Sequence, residues 1–456
     1  MTVGDNVATR GHRLQRRADA VARTRYPGEF LALFVRDHLR FFRRLKEFGD
    51  VVQTRIGRER LVLLSHPDDI QRLLVTEQRC FVKGLALDRI RVLLGGGLLT
   101  SDGVTHLHQR RLLQVAFHRD RIAAYGAVMI REAERMALEW SDGATLDVHE
   151  AMMRLTRNIA GLTLFSLEVG DDPGGIEDAI ALSLRAYRLA VLPFGAWLVK
   201  LPLPAVRRAE RARAQLDSWL LGTIRRRRAE GRDRGDVLSV LIQARDETNQ
   251  AMTDQQVRDE MVTLLLAGHE TTAVALSWTW YLLSQHPEVQ AKLYEEWDDV
   301  LRTEQLTAAD ASQLVYTRMV LAESMRLYPP AWIIERRAVR DVEIGGCLIP
   351  AGSLVFASQY LVHRDPRWYT EPERFDPERW RPGEAERPKF AYFPFGAGTR
   401  VCIGEQFAWM EGVLLLAVLG RQWRLVHHSL DGVAMEPLVT LRPKGGLWMR
   451  AMRRTA

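Results

Sequence analysis

One cysteine lies in a glycine-rich loop near the C-terminal end of this 456-residue chain. The stretch "FGAGTRVCIG", residues 395 to 404, surrounds Cys402 with Gly396, Gly398 and Gly404. Glycines leave backbone N–H groups unshielded, and a metal-bound thiolate needs such donors around its sulfur. The apolar helix that follows Gly404 directs the positive end of its dipole at the sulfur, which is expected to lower the pKa of the thiol.

Haem iron accepts a cysteine thiolate as a ligand, and this ligand favours cleavage of an O–O bond on the opposite face of the iron. Arg400 lies two residues before the cysteine, where its guanidinium could donate to a haem propionate. A metal-free cysteine buried in a turn is the alternative, and it is the commonest fate of a lone thiol.

A second candidate is "LLLAGHETTAVAL", residues 264 to 276, where a long apolar helix carries one carboxylate and two hydroxyl groups. Burying Glu270 there costs free energy unless the carboxylate has a function. Gly268 weakens the helix locally, so that a distorted turn could leave a carbonyl unpaired and open a groove for O2 and water. The alternative is an amphipathic helix whose polar face includes "HETT".

Two further pairs have helical spacing. Glu323 and Arg326 are three residues apart in "ESMR", and His106 and Arg110 are four residues apart in "HLHQR". Either pair could instead lie on an ordinary solvated surface, where an ion pair contributes little.

Hydrophobic periodicity predicts the elements that position these residues. Residues 49 to 64 are typical of two strands joined by a Gly-Arg-Glu-Arg turn, and "HPDDIQRLL" begins a helix after them. Helical periodicity dominates from about residue 119 to 327. After Pro329, β-branched runs broken by glycines predict a small antiparallel sheet, and a proline-rich coil then leads to the cysteine loop. The predicted fold class is mainly α with small β-sheets (α+β).

The chain shows no internal repeat, low-complexity linker or break in composition that would divide it. We therefore expect a flexible N-terminal segment over residues 1 to 25 and a single domain over residues 26 to 456. No apolar stretch approaches the ~18 residues of a membrane span. Three scattered cysteines without a C-x-x-C pair indicate neither a disulfide framework nor a zinc site. A cytoplasmic, reducing location is expected.

The net charge is modest and positive. It is +7, from 64 basic and 57 acidic residues, with one dense run at Arg225 to Arg228. We interpret this run as a solvated helix face, because no aromatic-basic module of a nucleic-acid-binding protein accompanies it. Nucleic-acid binding is not expected, whereas the positive excess would favour an acidic partner protein.

The spacing F-G-x-G-x-R-x-C-x-G closely resembles the haem-binding loop of the cytochrome P450 family, the haem-thiolate monooxygenases. The likeness implies the cytochrome P450 fold, haem b as cofactor and Cys402 as its axial ligand, with Phe395 packed beside the thiolate. "AGHETT" resembles the family's oxygen-activating segment. This likeness makes Ala267 a neighbour of the haem, and Glu270 and Thr271 the acid and alcohol that relay protons through water.

The resemblance also assigns partners for the haem propionates. Arg400 belongs to the cysteine loop, and "HLHQR" matches the histidine form of a family H-x-x-x-R segment, so that His106 and Arg110 look like propionate partners. Arg337 resembles another, although the adjacent Arg336 leaves that register open.

Two segments are similar to structural motifs of the family. "ESMR" resembles its E-x-x-R segment, and "PERF" at residues 372 to 375 resembles its P-E-R-F segment. By this likeness Glu323, Arg326 and Arg374 would interlock and fix the coil that presents Cys402.

Family membership implies an oxidoreductase that inserts one atom of O2 into a substrate C–H bond and releases the other as water. No fused reductase is expected, because the chain has neither a G-x-G-x-x-G strand–helix unit nor a cysteine cluster. Electrons would come from a separate donor, with a ferredoxin and its reductase as the expected pair. The basic residues that could steer an acidic carrier are Arg110, Arg111, Arg119, Arg121 and Arg400.

The segments that should line the distal pocket by resemblance are overwhelmingly apolar: residues 81 to 99, "LAVLPFGAWLVKLPLP", residues 264 to 267, "PPAWII" and residues 438 to 440. They predict a lipophilic substrate such as a fatty acid, a terpenoid or a steroid-like skeleton. Two alternatives stay open, a peroxide-driven haem-thiolate peroxygenase and a non-enzymatic haem-binding sensor. Both leave "AGHETT" without a purpose.

Overall fold

The computed structural model describes residues 20–21, 29–167, 204–245, 249–300, 306–383, 387–427 and 432–454. Within them the α-helices are α1 Glu29–Arg36, α2 His38–Lys46, α3 Pro67–Gln71, α4 Leu85–Leu94, α5 Gly103–Gln114, α6 Arg119–Glu139, α7 Val148–Phe165, α8 Pro204–Glu230, α9 Val237–Gln243, α10 Asp254–Gln285, α11 Pro287–Val300, α12 Val315–Leu327, α13 Gln359–Val362 and α14 Glu405–Gln422.

The strands of the described residues are shorter and lie mainly toward the two ends of the sequence. They are β1 Ala20–Val21, β2 Val51–Ile56, β3 Glu59–Leu64, β4 Phe81–Lys83, β5 Thr145–Asp147, β6 Ile334–Ala338, β7 Val342–Ile344, β8 Cys347–Ile349, β9 Leu354–Ala357, β10 Trp423–Val426, β11 Met435–Pro437, β12 Leu441–Pro443 and β13 Trp448–Arg453. The predicted fold class, mainly helical with small sheets, is confirmed.

Helix α10 is the central element of the helical part. It has 32 residues, and a capping box between Thr253 and Gln256 satisfies the N–H groups of its first turn. Its sides are buried against α7, α8, α12 and α14, so it is apolar around most of its circumference, with Trp278 and Trp280 fully enclosed. At 1.5 Å per residue it runs about 48 Å through the molecule.

Small residues let α14 approach its neighbours closely. A Cβ on Gly412 would lie 2.5 Å from the side chain of Leu321, and one on Gly420 would lie 2.3 Å from the ring of Trp297. Both glycines are therefore packing residues. They bring the helix that follows the cysteine loop against α11 and α12.

The sheet differs from the one that the sequence predicts. The hairpin of β2 and β3 is present, but β9 pairs in parallel with β3 and antiparallel with β6, giving one six-stranded sheet of order β1-β2-β3-β9-β6-β4. The strands after Pro329 do pair antiparallel with one another, β6 with β9 and β7 with β8, as predicted, but β6 and β9 belong to the larger mixed sheet. All four residues of β9 are buried, so the strand needs a neighbour on each edge, and that neighbour comes from the start of the chain.

The basic run at residues 225 to 228 is expected to be a solvated helix face, but Arg227 and Arg228 form ion pairs within the protein. Arg227 is buried and donates to both carboxylate oxygens of Asp236 at 2.9 Å, while Arg228 pairs with Asp254 at 2.9 Å. These arginines tie α8 to α9 and to the start of α10. In the described ranges no helix combines the length and apolarity needed to cross a bilayer.

Glu411 is a fully buried carboxylic acid on α14. Both of its oxygens are enclosed and lack a partner at full hydrogen-bond geometry among the described residues. Burial raises the pKa of Glu411 to about 8, and the hydroxyl of Thr272 on α10 offsets part of this rise. The side chain is therefore neutral at pH 7.

Replacing Glu411 by glutamine is expected to remove a pH dependence of stability. The folded protein keeps the Glu411 proton that the unfolded chain releases, so the native protein loses stability as pH rises from about 4.5 to about 8. At about 1.4 kcal/mol per pKa unit, the loss is at most about 5 kcal/mol. Urea unfolding at pH 5, 7 and 8.5 measures it, with Glu134→Gln, an exposed position on α6, as the control. Parallel curves for Glu411→Gln and the native chain would contradict the assignment.

Candidate active site

The Cys402 loop is a tight turn that depends on glycine at two positions. Gly396 and Gly398 have φ angles of 71° and 69°, in the left-handed region that disfavours other residues. A Cβ on Gly398 would also lie 2.1 Å from the carbonyl oxygen of Leu74. Backbone conformation and close approach therefore both require the glycine-rich sequence.

The turn brings Cys402 to the start of α14. The Cys402 N–H donates to the carbonyl of Phe395 at 2.9 Å, and Gly404 is the N-cap of the helix. The ring of Phe395 lies 5.7 Å from that of Trp409, measured between centroids. Arg110 reaches the loop from α5 and donates to the carbonyl of Val401 at 2.7 Å.

The pKa of the Cys402 thiol differs from the sequence expectation. Burial raises it above its ordinary value, whereas the N–H of Gly404 and the positive charge of Arg110 only partly compensate. Although the Cys402 side chain is exposed at the surface of the loop, the protein around it desolvates the thiolate more than the helix terminus stabilises it, so the pKa shift is opposite in direction to the expected lowering. A bound metal cation overrides this balance, because a coordinating thiol is deprotonated outright.

Basic side chains from three elements converge near the cysteine loop. Arg400 donates to the carbonyl of Phe81 at 3.0 Å and to Asp102 at 2.8 Å. Lys83 is buried on β4, and its pKa is lowered to about 7 by burial, with Arg400 and Arg336 contributing and Asp102 opposing. Three cations, Lys83, Arg336 and Arg400, thus interact with one aspartate, Asp102, while Arg110 contacts the cysteine loop. Such a set of cations suits a ligand with two carboxylates.

His106 lies on α5 one turn before Arg110, as its spacing predicts. It is buried, and its pKa is lowered to about 4 by burial and by the charges of Lys83, Arg400 and Arg110. A neutral imidazole at pH 7 has one N–H to donate, so His106 can serve as a hydrogen-bond donor without adding charge.

The structure favours Arg336 over Arg337 as the strand arginine of the site. Arg336 lines the internal cavity described below, and burial lowers its pKa to about 10. Arg337 lies 3.8 Å from Glu59 in an ion pair that is partly exposed. Arg336, and not Arg337, therefore borders the cavity, and we take it as the candidate propionate partner on this strand.

The oxygen-activating segment is a continuous helix in α10. The hydroxyl of Thr271 donates to the carbonyl of Ala267 at 2.9 Å, and both residues line the cavity. The expected distorted turn with an unpaired carbonyl is therefore replaced by a side-chain hydrogen bond within a regular helix. Glu270 is buried, and one of its oxygens accepts a hydrogen bond from Thr440 at 2.6 Å.

A buried cluster of charges holds the coil that precedes the cysteine loop. Arg326, fully buried, donates to both oxygens of Glu323 at 2.8 Å and to the carbonyls of His363, Pro372 and Arg374. Arg326, on α12, thus holds the coil through three of the coil's backbone carbonyls.

The third side chain of this cluster is Arg379 and not Arg374. Arg379 lies 3.3 Å from Glu323, which also accepts from the indole of Trp380 at 2.9 Å. The side chain of Arg374 is 62% exposed and pairs with Glu371. A second copy of the pattern, "PERW" at residues 377 to 380, was the available signal, and only the structure shows that this copy faces α12.

Comparison with known proteins agrees with these features. The sequence matches the family model described as Cytochrome P450 over residues 30–448. The chain belongs to the cytochrome P450 family. Cyclooctatin synthase of Streptomyces melanosporofaciens is 40% identical over 410 residues, which is 89% of either chain. Pentalenene oxygenase of Streptomyces avermitilis is 35% identical over 413 residues, or 90% of either chain.

Two solved structures of other cytochromes P450 have the same fold. A cyanobacterial CYP120A1 bound to retinoic acid superimposes with a TM-score of 0.83 at 28% identity, covering 93% of this chain and 96% of that one. The haem domain of cytochrome P450DA gives 0.85 at 27% identity, covering 97% and 99%. This chain is thus a cytochrome P450 monooxygenase, and the cofactor of the family is haem b bound through a cysteine thiolate.

The residues of this cytochrome P450 fit that cofactor. The glycine turn presents a thiol that is in no disulfide, and the cations beside it suit the two propionates.

Arg336→Leu is expected to weaken haem retention, whereas Arg337→Leu is not. Losing one charged hydrogen bond to a propionate costs about 1.5–3 kcal/mol, or roughly tenfold or more in affinity. Each variant is incubated with apomyoglobin as a haem acceptor and then separated from it by gel filtration. The ratio of Soret to protein absorbance of the variant measures the haem lost. Equal haem loss from both variants would contradict the strand register proposed for the site.

A large cavity adjoins the oxygen-activating segment. The part formed by the described residues measures about 2170 Å³ and runs from Ala267 and Thr271 to α1 and the turn between β2 and β3. Four of the five segments expected at the distal pocket contribute to its wall, including residues 85–87, 331–334 and 438–440. The fifth, "LAVLPFGAWLVKLPLP", lies almost entirely outside the described residues.

The loop between α4 and α5 forms one border of this cavity and is held by buried charged groups. Asp259 accepts from the N–H of Gly96 at 2.7 Å, and Glu260 accepts from the N–H of Leu98 at 2.9 Å. Lys83 donates to the carbonyls of Leu98 at 2.7 Å and Ser101 at 2.5 Å. Sequence reasoning did not find these residues, because nothing in their spacing links them.

Proposed function

We propose that this cytochrome P450 hydroxylates a lipophilic terpenoid with electrons from a separate ferredoxin and its reductase. The observation that carries the proposal is the apolar wall of the cavity beside Thr271, formed by Leu99, Leu265, Leu266, Ile333, Ile334, Leu438 and Val439. Apolar walls bind by shape and burial, which suits a hydrocarbon skeleton.

Two relatives support the terpenoid class over fatty acids and steroids. One carries the name cyclooctat-9-en-7-ol 5-monooxygenase, from Streptomyces melanosporofaciens, and is 40% identical over 406 residues, or 87% of either chain. The other is the pentalenene oxygenase described above. Residues 26–456 would form the single monooxygenase domain of this chain.

Each part of the site has a role in this mechanism. When bound, haem b supplies the iron at which O2 is activated. Cys402 would hold that iron, while His106, Arg110, Arg336 and Arg400 would bind the propionates. The apolar wall holds the substrate and excludes water, which limits side reactions.

Proton delivery would depend on α10. Glu270 is the buried acid, and the Thr271 hydroxyl lies one residue further along the cavity side of the same helix. Glu270 would take up a proton from water at the oxygen that Thr440 does not bond and pass it through water toward the Thr271 hydroxyl, a general-acid role.

The surface at the α5–α6 connection, on the Cys402 side of the protein, favours the binding of an acidic electron carrier. Arg111 and Arg119 are exposed beside the α5–α6 connection, and Val115 between them is 57% exposed. A basic rim around an apolar residue suits a transient complex with a small acidic protein.

The test has two parts. The reduced protein with CO should show a Soret band far to the red of that of histidine-ligated haem. Titration with cyclic terpenes, terpene alcohols, fatty acids and steroids should give a low-spin to high-spin shift with the terpenes. Turnover with ferredoxin, its reductase and NADPH should then yield a product that is 16 mass units heavier.

The alternatives give different results. A peroxygenase would turn over with hydrogen peroxide as fast as with ferredoxin and would be indifferent to Thr271→Ala. A haem sensor would be reduced efficiently and oxidise no compound of the panel. A shift with fatty acids alone would overturn the terpenoid class.

A further inference from the structure

Glu270 is tied to a residue that is 170 positions away in the chain. The hydroxyl of Thr440 donates to Oε1 of Glu270 at 2.6 Å, and the side chains are buried, with 3% and 6% of their surface exposed. A hydrogen bond to a buried carboxylate at this distance is charge-assisted and strong. It fixes one oxygen of the acid and leaves the other available to water.

Thr440 sits at the tip of the hairpin formed by β11 and β12, and the tip is held on both sides. The indole of Trp332 donates to the carbonyl of Leu438 at 3.0 Å, and that of Trp278 donates to the carbonyl of Leu441 at 2.7 Å. The N–H of Leu441 donates in turn to the carbonyl of Pro330 at 3.0 Å. The hydroxyl of Thr440 therefore has a rigid support.

The same hairpin tip forms part of the cavity wall. Leu438, Val439 and Thr440 line the cavity with Ala267 and Thr271, and Val439 is 41% exposed. A bound substrate would thus contact the residues on either side of the hydroxyl that holds Glu270. One rigid turn therefore contacts the substrate and holds the acid.

We propose that Thr440 is a positioning residue for Glu270. Its hydroxyl holds Oε1, so that Oε2 faces the water chain toward Thr271 in the geometry that delivers protons. This inference rests on the proposed acid role of Glu270. Without the hydroxyl, the carboxylate rotates, proton delivery slows, and more reduced oxygen leaves as hydrogen peroxide in place of product.

The experiment is a double-mutant cycle in the haem-loaded protein. It compares Thr440→Val, Thr440→Ser and Glu270→Gln, alone and with Thr440→Val combined with Glu270→Gln. The readouts are product and hydrogen peroxide formed per NADPH, the solvent isotope effect on turnover, and substrate affinity from the spin-state titration. Thr440→Ala replaces Thr440→Val if the latter does not load haem.

We expect Thr440→Val to lower product per NADPH by roughly tenfold or more, the effect of losing one charged hydrogen bond. Substrate affinity should stay within about twofold, since valine keeps the branched shape of Thr440. Thr440→Ser, which keeps the hydroxyl, should restore the yield of product per NADPH. In the Glu270→Gln background, Thr440→Val should add nothing.

Three results would overturn the positioning role. The first is an unchanged yield of product per NADPH in Thr440→Val. The second is a fall in that yield that is as large in the Glu270→Gln background as in the native chain. The third is a change in substrate affinity alone. Failure of the proposed acid role is distinguishable, because Glu270→Gln alone would then keep full coupling and a native isotope effect.

Discussion

Arg326→Leu should leave the chain unable to accumulate as a haem-loaded protein, whereas Arg374→Leu should behave as the native chain does. The first change removes five hydrogen bonds and takes from the buried carboxylate of Glu323 its fully buried cation, leaving it Arg379 at 3.3 Å. Breaking a buried ion pair by removing one partner costs about 3–5 kcal/mol. That is a large share of the stability of a typical domain.

Arg374 is the matched control for this experiment. Its side chain is 62% exposed and its ion pair with Glu371 is on the surface, where such pairs contribute about 0–1 kcal/mol. Yield of haem-loaded protein and the thermal midpoint measure the effect of each change. A strong defect in Arg374→Leu, or a mild one in Arg326→Leu, would show that the cluster has been misassigned.

Cys402→Ala should abolish both the red-shifted Soret band of the reduced CO complex and all NADPH-dependent oxidation. The proposed ligand sulfur is lost, while the glycine turn keeps its backbone hydrogen bond from residue 402 to Phe395. Cys347→Ala is the control, because Cys347 is half-buried on the hairpin of β7 and β8, outside the site. Retention of the native spectrum in Cys402→Ala would refute the thiolate assignment.

Local patterns carried much of the fold prediction. The hairpin of β2 and β3 and the long helix through Glu270 follow from alternation and helical periodicity within one segment. The pairing of β9 with β3 joins segments about 290 residues apart. Periodicity within a segment gives no information on such a partner.

At the site, the structure differs from the sequence predictions in which of two similar residues faces the site and in how deeply a side chain is buried. Arg336 and Arg337 are adjacent in a strand, and only the structure shows that Arg336 borders the cavity and Arg337 does not. "PERF" and "PERW" differ by five positions, and only packing against α12 selects Arg379. The thiol pKa of Cys402 depends on how much protein surrounds the sulfur, which the glycines and the helix dipole alone do not determine.

The buried groups that hold the loop between α4 and α5 also affect where a substrate can enter the cavity. Swinging it outward would take from the buried Lys83 and Glu260 the backbone groups of Leu98 and Ser101 to which they hydrogen-bond, at roughly 1–3 kcal/mol for each. Transient opening is thus cheaper at the far rim, near α1 and the turn at Gly57. Deuterium uptake at the amides of Gly96 and Leu98 should accordingly be among the slowest outside the helical core.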